Sequence, residues 1–300
     1  MKEHVLPFRQ DENQFHSSST SAPRRSRSEG AYPTSREESY ITESSGKGPR
    51  ITTALLLAAG TGSRLQPLTK AAPKCLTEVN DISILQRLVD NLREQKFKRL
   101  IIVLGHLGGQ IRDFLDDYAG DMQIDYVVNP DYRTTNNLYS LWLARNQISE
   151  PFMLVESDLV FDTKLLNEMI YPDRMAISSM LSWMNGTTVE LDLDHRVTAF
   201  RPGGYEPVLV PQYKTVNIYS LSLSSWSKVE KRLSRHVKNG GLGEYYEVVF
   251  TELIADGTLA FDGVFFDSDL WYEIDTGEDL LEAESLFSTA RSISSETLTA

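Results

Sequence analysis

Two glycines, two cations and two distant carboxylates are the residues of this chain whose types and spacing could do chemistry. An apolar run over residues 53–59 ends in Gly60-Thr61-Gly62; Arg64 follows at once, and Lys74 stands ten residues further on, behind Pro73. Glycines leave backbone amides open to phosphate oxygens, so such a loop after a buried strand makes an anion-binding concavity. Neither packing nor propensity asks for two cations beside it. A nucleoside triphosphate would use both: a cation next to the glycines neutralises the β and γ phosphates, and a more distant lysine reaches the α phosphate or a second substrate. Two other phosphate loops are excluded by the residue order. A dinucleotide fingerprint needs a glycine at position 65, where Leu65 stands, and a Walker A loop needs a Gly-Lys-Ser/Thr that is absent. The plain alternative is a strand-to-loop turn with two solvated cations.

The carboxylates stand far away in sequence. Asp158, in "VESDLVFD", closes another buried apolar run, where an open α/β sheet presents its ligand-binding edge. Near the C-terminus "LWYEIDTGEDL" sets Glu273 and Asp275 two apart, on one face if the backbone is extended. Carboxylates from distant strands that meet at a triphosphate are the hard-oxygen ligands Mg²⁺ prefers. Asp158 could instead cap its strand end, and Asp275 could cap the helix that begins near Gly277. Glu273 could point at a cation of the second substrate.

These residues need a frame, and the hydrophobic pattern supplies one. "TALLLAAG" and "RLIIVLG" are continuous apolar runs of the kind buried in a parallel sheet. Between them Ile84, Leu85, Leu88, Val89 and Leu92 recur at helical spacing, with Asp81 expected to cap the start; Ile111, Phe114, Leu115 and Tyr118 mark a second helix. "IDYVVNP" and "FMLVESD" continue the alternation, which predicts right-handed crossovers and a mostly parallel sheet. The second half changes character. "AISSMLSW", "TTVELDLDHRVTAFRP" and "YKTVNIYSLS" are strand-like without helices between them, so an antiparallel β-rich lobe over the cleft is expected. Helices are expected over 225–238, about 245–256 and 277–287, and a strand at "AFDGVFF". The expected fold class is α/β, a Rossmann-like sheet flanked by helices.

Composition divides the 300 residues into three parts. Residues 1–50, rich in Ser, Arg, Glu and Pro and without apolar periodicity, read as a disordered tail; 51–290 read as one catalytic domain, and 291–300 as a short disordered tail. Eight Lys and Arg against seven Asp and Glu in the first part leave 22 against 35 in the rest. A surface that acidic argues against nucleic acid or anionic lipid as main partner. No apolar run is long enough for a membrane span and no signal-type core stands at the N-terminus, which predicts a cytoplasmic protein; a homodimer is left open. The single Cys75 excludes an internal disulfide and reads as a small buried filler beside Lys74. Five scattered histidines form no constellation.

Residues Leu57, Ala58, Ala59, Gly60, Gly62, Arg64, Leu65, Pro67, Leu68, Thr69, Pro73 and Lys74 carry a motif, L-A-A-G-x-G-x-R-L-x-P-L-T-x-x-x-P-K. It resembles the signature of nucleotidyltransferases that join an NTP to a sugar phosphate or a small phosphate ester. The resemblance implies that Leu57, Ala59, Gly60, Thr61 and Gly62 cradle the nucleotide, that Arg64 contacts its β and γ groups, and that Lys74 polarises the reacting phosphates. It also implies Mg²⁺ on Asp158 and Asp275. The segments "NPDYRTTNNLYSLWLA", "ESDLVFD", "YKTVNIYSLS" and "EIDTGEDLLEAESLF" resemble the branch that makes CDP-choline or CMP-aminoethylphosphonate. Ser157 replaces the glycine that sugar-1-phosphate enzymes more usually carry, which leans the same way.

That branch implies CTP and a small phosphonate or phosphate ester as substrates, with Lys214 neutralising the attacking group. Asn136, Asn137 and Ser157 are then candidates for nucleotide contacts, and Trp183, Lys214, Asn217 and Glu273 for the acceptor. Turn formation by the asparagines is the competing reading. Aromatic faces would suit a quaternary ammonium, and carboxylates such as Glu244, Glu247 or Glu273 a primary one. The rivals are a UTP- or dTTP-dependent sugar-1-phosphate enzyme and a non-catalytic nucleotide sensor.

Overall fold

A computed structural model describes residues 48–181, 184–203 and 211–288. The expected tails lie outside the described residues, apart from residues 48–50 of the first, and so does Trp183. In chain order the elements are β1 (Thr53–Ala58), β2 (Glu78–Val79), β3 (Ile82–Ser83), α1 (Ile84–Glu94), β4 (Arg99–Leu104), α2 (Gly108–Tyr118), β5 (Gln123–Val128), α3 (Asn137–Ala144), β6 (Phe152–Glu156), β7 (Leu159–Phe161) and α4 (Leu166–Met169). The second half adds β8 (Arg174–Ser179), β9 (Thr188–Leu191), β10 (Val197–Arg201), β11 (Tyr213–Leu221), α5 (Leu223–Lys238), α6 (Glu247–Ala255), β12 (Asp262–Phe265), β13 (Trp271–Glu273) and α7 (Gly277–Ser288).

Nine strands form one mixed sheet whose main order is β10-β9-β11-β6-β1-β4-β5, with β8 paired to β11 and β12. The four strands β6, β1, β4 and β5 run parallel. Their apolar runs are continuous because both faces are covered. Along β1 the residues alternate between two cores: Ala54, Leu56 and Ala58 face the layer of α1 and α2, while Leu55, Leu57 and Ala59 face that of α3, α5 and α6. β11 then runs antiparallel to β6, β8 and β9, which is the β-rich extension expected from the second half.

Two local expectations change. The N-cap of α1 is Ser83, whose hydroxyl accepts from Gln86 N at 3.1 Å, and not Asp81. Asn80 and Asp81 instead hold left-handed backbone (φ 51° and 60°), the geometry of a two-residue turn between β2 and β3. The other change is α3, a helix over a segment for which no helix was expected; Asn136 caps it through Asn137 N at 2.9 Å.

A third, smaller core explains how the distant carboxylates reach the glycine loop. Leu65, just after the loop, packs with Val79, Ile84, Val160, Tyr272, Ile274 and Ala283. It thereby joins the loop to the short β7–β13 pair and to α7. Fully burying a leucine is worth about 1.5–3 kcal/mol, enough to hold the loop against that layer.

Candidate active site

A cavity of about 360 Å³ opens at the carboxyl ends of β1 and β6, the edge where open α/β sheets bind ligands. The glycine loop forms one wall. Gly62 has φ 61°, and a Cβ there would lie 2.9 Å from Thr69 Cγ2 and 3.1 Å from Lys74 Cβ, so both conformation and crowding require glycine. Its carbonyl accepts from Thr69 Oγ1 at 2.7 Å, which draws the Thr69 turn, and with it Lys74, under the loop. At Gly60 a Cβ would meet nothing within 4 Å; it borders open space. Leu57, Ala59, Gly60 and Gly62 line the cavity, whereas Thr61, expected among them, does not. Ser63 lines it as well.

The two cations meet the two aspartates. Lys74 Nζ donates to Asp158 Oδ2 at 2.8 Å and to Asp275 Oδ1 at 2.6 Å, and Arg64 reaches Asp275 Oδ1 at 2.8 Å from an exposed position. Burial works against the Lys74 charge, but Asp158 and Asp275 outweigh it and hold the ammonium pKa above its usual range. Neither aspartate is spent on capping. Thr276 caps α7, accepting from Asp279 N at 3.2 Å, and Asp279 Oδ2 accepts from the backbone of Asp275 and Thr276. That reciprocal box leaves the Asp275 side chain free for the cavity. Asp158 is fixed through its backbone, where its carbonyl accepts from Ile274 N at 2.9 Å, while its buried Oδ1 has no partner. Cys75, beside the lysine, is buried as expected, and burial pushes its thiol up to about 12.

On the β11 side of β6 the cavity is acidic. Glu156, Glu247 and Glu273 all line it. Glu273 takes Lys214 Nζ at 3.1 Å and Asn217 Nδ2 at 3.3 Å. Lys214 itself, 3% exposed, lies behind Glu273, does not line the cavity, and also donates to the Thr215 carbonyl at 2.8 Å. Asn217 arrives through a register shift in β11, where its φ of 59° kinks the continuous strand and its side chain meets Glu273. Asn137 ties the remaining acids together: its Nδ2 donates to Glu156 at 3.2 Å and its Oδ1 accepts from Tyr246 N at 2.9 Å, at the start of α6. Burial, then Asp158 and Glu247, push the Glu156 carboxyl well above the usual carboxylate range. Burial also raises Glu247, against the opposing pull of its own backbone and Asn137, and raises Glu273 despite Lys214.

Asn136 and Ser157 also line the cavity, as do four residues not singled out beforehand, Asn129, Tyr132, Thr135 and Ser140. Asn129 is buried and donates to Thr135 Oγ1 at 3.1 Å and Ser140 Oγ at 3.0 Å. Their signal was present in "NPDYRTTNNLYS", a polar run too dense for a plain linker, and Glu156 stood unremarked beside Asp158.

A glycine loop, paired cations and two carboxylates on the carboxyl edge of a doubly covered sheet define a nucleotidyltransferase-type α/β protein. Residues 54–172 match the model of the MobA-like NTP transferase domain. It is 32% identical over 255 residues to a CMP-5'-(3-aminopropyl)phosphonate synthase of Streptomyces rubellomurinus, covering 79% of this chain and 39% of that protein. With a choline-phosphate cytidylyltransferase of Streptococcus pneumoniae the identity is 31% over 116 residues, 39% of this chain and 49% of that one. The sequence matches therefore span less than half the length of each relative. The fold matches that of the solved CTP:phosphocholine cytidylyltransferase from Streptococcus pneumoniae, with a TM-score of 0.70 at 20% identity over 79% of this chain and 99% of that one. Among the described residues no helix is long and apolar enough to cross a membrane.

Proposed function

We propose that residues 51–290 form a Mg²⁺-dependent cytidylyltransferase that transfers CMP from CTP to a small phosphonate or phosphate ester and releases pyrophosphate. The observation that carries this reading is the Lys74 ammonium held between Asp158 and Asp275 under a glycine loop. The two relatives, named for a CMP-phosphonate and for choline phosphate, favour CTP and a small phosphorus acceptor.

The residues present fit a hard divalent ion. Asp158 Oδ1 is buried without a partner, and two carboxylates from distant strands already share one cation. Two carboxylates would leave the other positions of a six-coordinate ion to phosphate and water oxygens. Bound by Asp158 and Asp275, Mg²⁺ would neutralise triphosphate charge and help orient it.

The chain's own groups do the rest. Amides of the glycine loop and Arg64 hold the β and γ phosphates, and Lys74, protonated throughout the neutral range, stabilises charge that builds at the α phosphorus. An acceptor oxygen attacks in line, the bond to the bridging oxygen breaks, and pyrophosphate leaves with that oxygen's electron pair. No covalent intermediate with the protein is needed, because positioning and charge suffice.

Pyrophosphate release with Mg²⁺ is the test, run with each ribonucleoside triphosphate and dTTP against phosphocholine, 2-aminoethylphosphonate, 2-hydroxyethylphosphonate and glucose 1-phosphate. Release with CTP and a small head group is expected. Release only with UTP or dTTP and the sugar phosphate would replace this reading with the sugar-nucleotide one, and nucleotide binding without release would favour a sensor.

A further inference from the structure

We propose that His106 is a positioning residue of the nucleotide end of the cavity: from outside the cavity it fixes Thr69, and through Thr69 the glycine loop that receives the triphosphate. The inference rests on the transfer reaction proposed above and adds a residue that acts on it without touching either substrate.

A glycine sets the place of His106. β4 ends at Leu104, and a Cβ on the next residue, Gly105, would lie 2.4 Å from the Ala59 carbonyl oxygen and 2.8 Å from Tyr132 Cβ. Only glycine allows so close an approach, which presses the chain after β4 against the chain after β1. His106 N then donates to the Ala59 carbonyl at 3.1 Å. Ala59 and Tyr132 line the cavity, and His106 does not. Its ring centre stands 6.0 Å from that of Tyr132, and its Nε2 lies 3.0 Å from the Thr69 carbonyl oxygen. A carbonyl only accepts, so Nε2 carries the hydrogen and donates it there.

Thr69 is the next link. It is 1% exposed, and its hydroxyl donates to the Gly62 carbonyl at 2.7 Å. Gly62 in turn is packed against Thr69 and Lys74, so a shift of Thr69 reaches both the loop and the ammonium group behind it. Burial does little to hold the turn around Thr69, because Gln66, Pro67, Leu68, Lys70 and Ala71 are all exposed. Hydrogen bonds from the chain after β4 hold it instead: His106 on the Thr69 carbonyl, and Gln110 Nε2 on the Ala71 carbonyl at 3.0 Å. Gln110 is exposed and its bond competes with water, whereas His106 is half-buried, which makes it the firmer of the two anchors. Amides and cations stabilise phosphate charge only when they are aimed before it arrives, and a misplacement of about 1 Å costs about a hundredfold.

The experiment compares His106→Phe, which keeps a ring against Tyr132 and removes the donor, with His106→Gln, which restores an N–H donor without the ring. Pyrophosphate release is followed with Mg²⁺ and the nucleotide and acceptor that the wild-type chain uses. His106→Phe should raise KM for the nucleotide about tenfold, the scale of one lost hydrogen bond, and leave KM for the acceptor within about twofold of wild type. His106→Gln should recover most of that loss. Thr69→Val breaks the next link, and adding His106→Phe to it should cost no more than about twofold further, because the two side chains act in series. A merely structural histidine would lower the melting temperature and leave both KM values alone. That result, no recovery in His106→Gln, or full additivity with Thr69→Val would overturn the proposal. If His106→Phe does not fold, His106→Leu takes its place in each comparison. If no acceptor releases pyrophosphate, the transfer reading fails separately, and calorimetry with CTP and Mg²⁺ decides the role of His106. CTP binding weakened in His106→Phe and recovered in His106→Gln would uphold it; equal binding in all three chains, or none in wild type, would overturn it.

Discussion

The two ends of one cavity are charged by opposite rules. Around the glycine loop, two cations meet two aspartates in direct ion pairs, so the chain compensates its own charge there. On the β11 side three glutamates meet one lysine, and the Glu247 Oε2 oxygen is left without a partner. A compensated end can stand rearrangement when a polyanion and its metal arrive together, since both signs of charge are supplied on each side. At the uncompensated end burial and neighbouring acids instead raise the Glu156 and Glu247 carboxyls above their ordinary range, so charge there is suppressed and not paired.

The largest effect is expected from breaking the compensated end. Lys74→Ala and Asp158→Ala should each lower kcat/KM by about a thousandfold or more, the scale of losing a group that stabilises transition-state charge, with circular dichroism unchanged. Near-normal rates at saturating Mg²⁺ would remove that residue from the chemistry.

Next comes the single cation of the other end. Lys214 is buried behind Glu273, so Lys214→Met leaves a carboxylate buried without its partner, a change that costs about 3–5 kcal/mol. The melting temperature should drop by about 10 °C. Adding Glu273→Gln should recover much of it, and a double-mutant cycle in calorimetry measures the coupling. Independent, additive effects would mean that Lys214 does not hold Glu273.

Relieving the acidic excess should stabilise the empty protein, with a definite pH dependence. Burial holds the Glu247 carboxyl above its unfolded value, so the folded state binds the proton more tightly. Its ionisation therefore opposes folding: the penalty is absent below the ordinary carboxylate pKa and grows as pH rises through the raised one. Glu247→Gln should match wild type near pH 4.5 and melt about 2–4 °C higher by pH 8, read by thermal scans across that range. A constant gap would show that the carboxylate is not strained.

The smallest effect concerns Thr276. Thr276→Ala removes the α7 cap, about 1 kcal/mol, and should leave the Mg²⁺ dependence of the rate unchanged, because Asp275 serves the cavity and not the helix. A shifted Mg²⁺ requirement would mean that the cap positions Asp275 after all.

The same contrast decides what could be read without coordinates. The compensated end is legible because its glycines, Arg64 and Lys74 lie within fifteen residues, and Asp158 closes an apolar run that can only be a buried strand. The parallel half of the sheet was legible for the same reason. The β11 side is built from pieces with no shared local signal. Glu247 comes from the first turn of α6, Glu156 from the end of β6, and Asn217 from a left-handed kink inside a strand that reads as regular. Lys214 reads as a cavity residue from its neighbours, but the register of β11 against β8 puts it behind Glu273. Ser83 took the cap expected of Asp81 because two left-handed residues close the β2–β3 turn, and no apolar period marks such a turn.

Transfer of CMP to the acceptor is most directly tested by ³¹P NMR of the wild-type chain incubated with Mg²⁺, CTP and 3-aminopropylphosphonate. The expected spectrum shows a coupled pair of resonances from a new phosphonate–phosphate anhydride, growing in step with pyrophosphate and absent with Lys74→Ala. Intact CTP and free phosphonate after prolonged incubation, with both bound, would contradict the transfer chemistry assigned to this site.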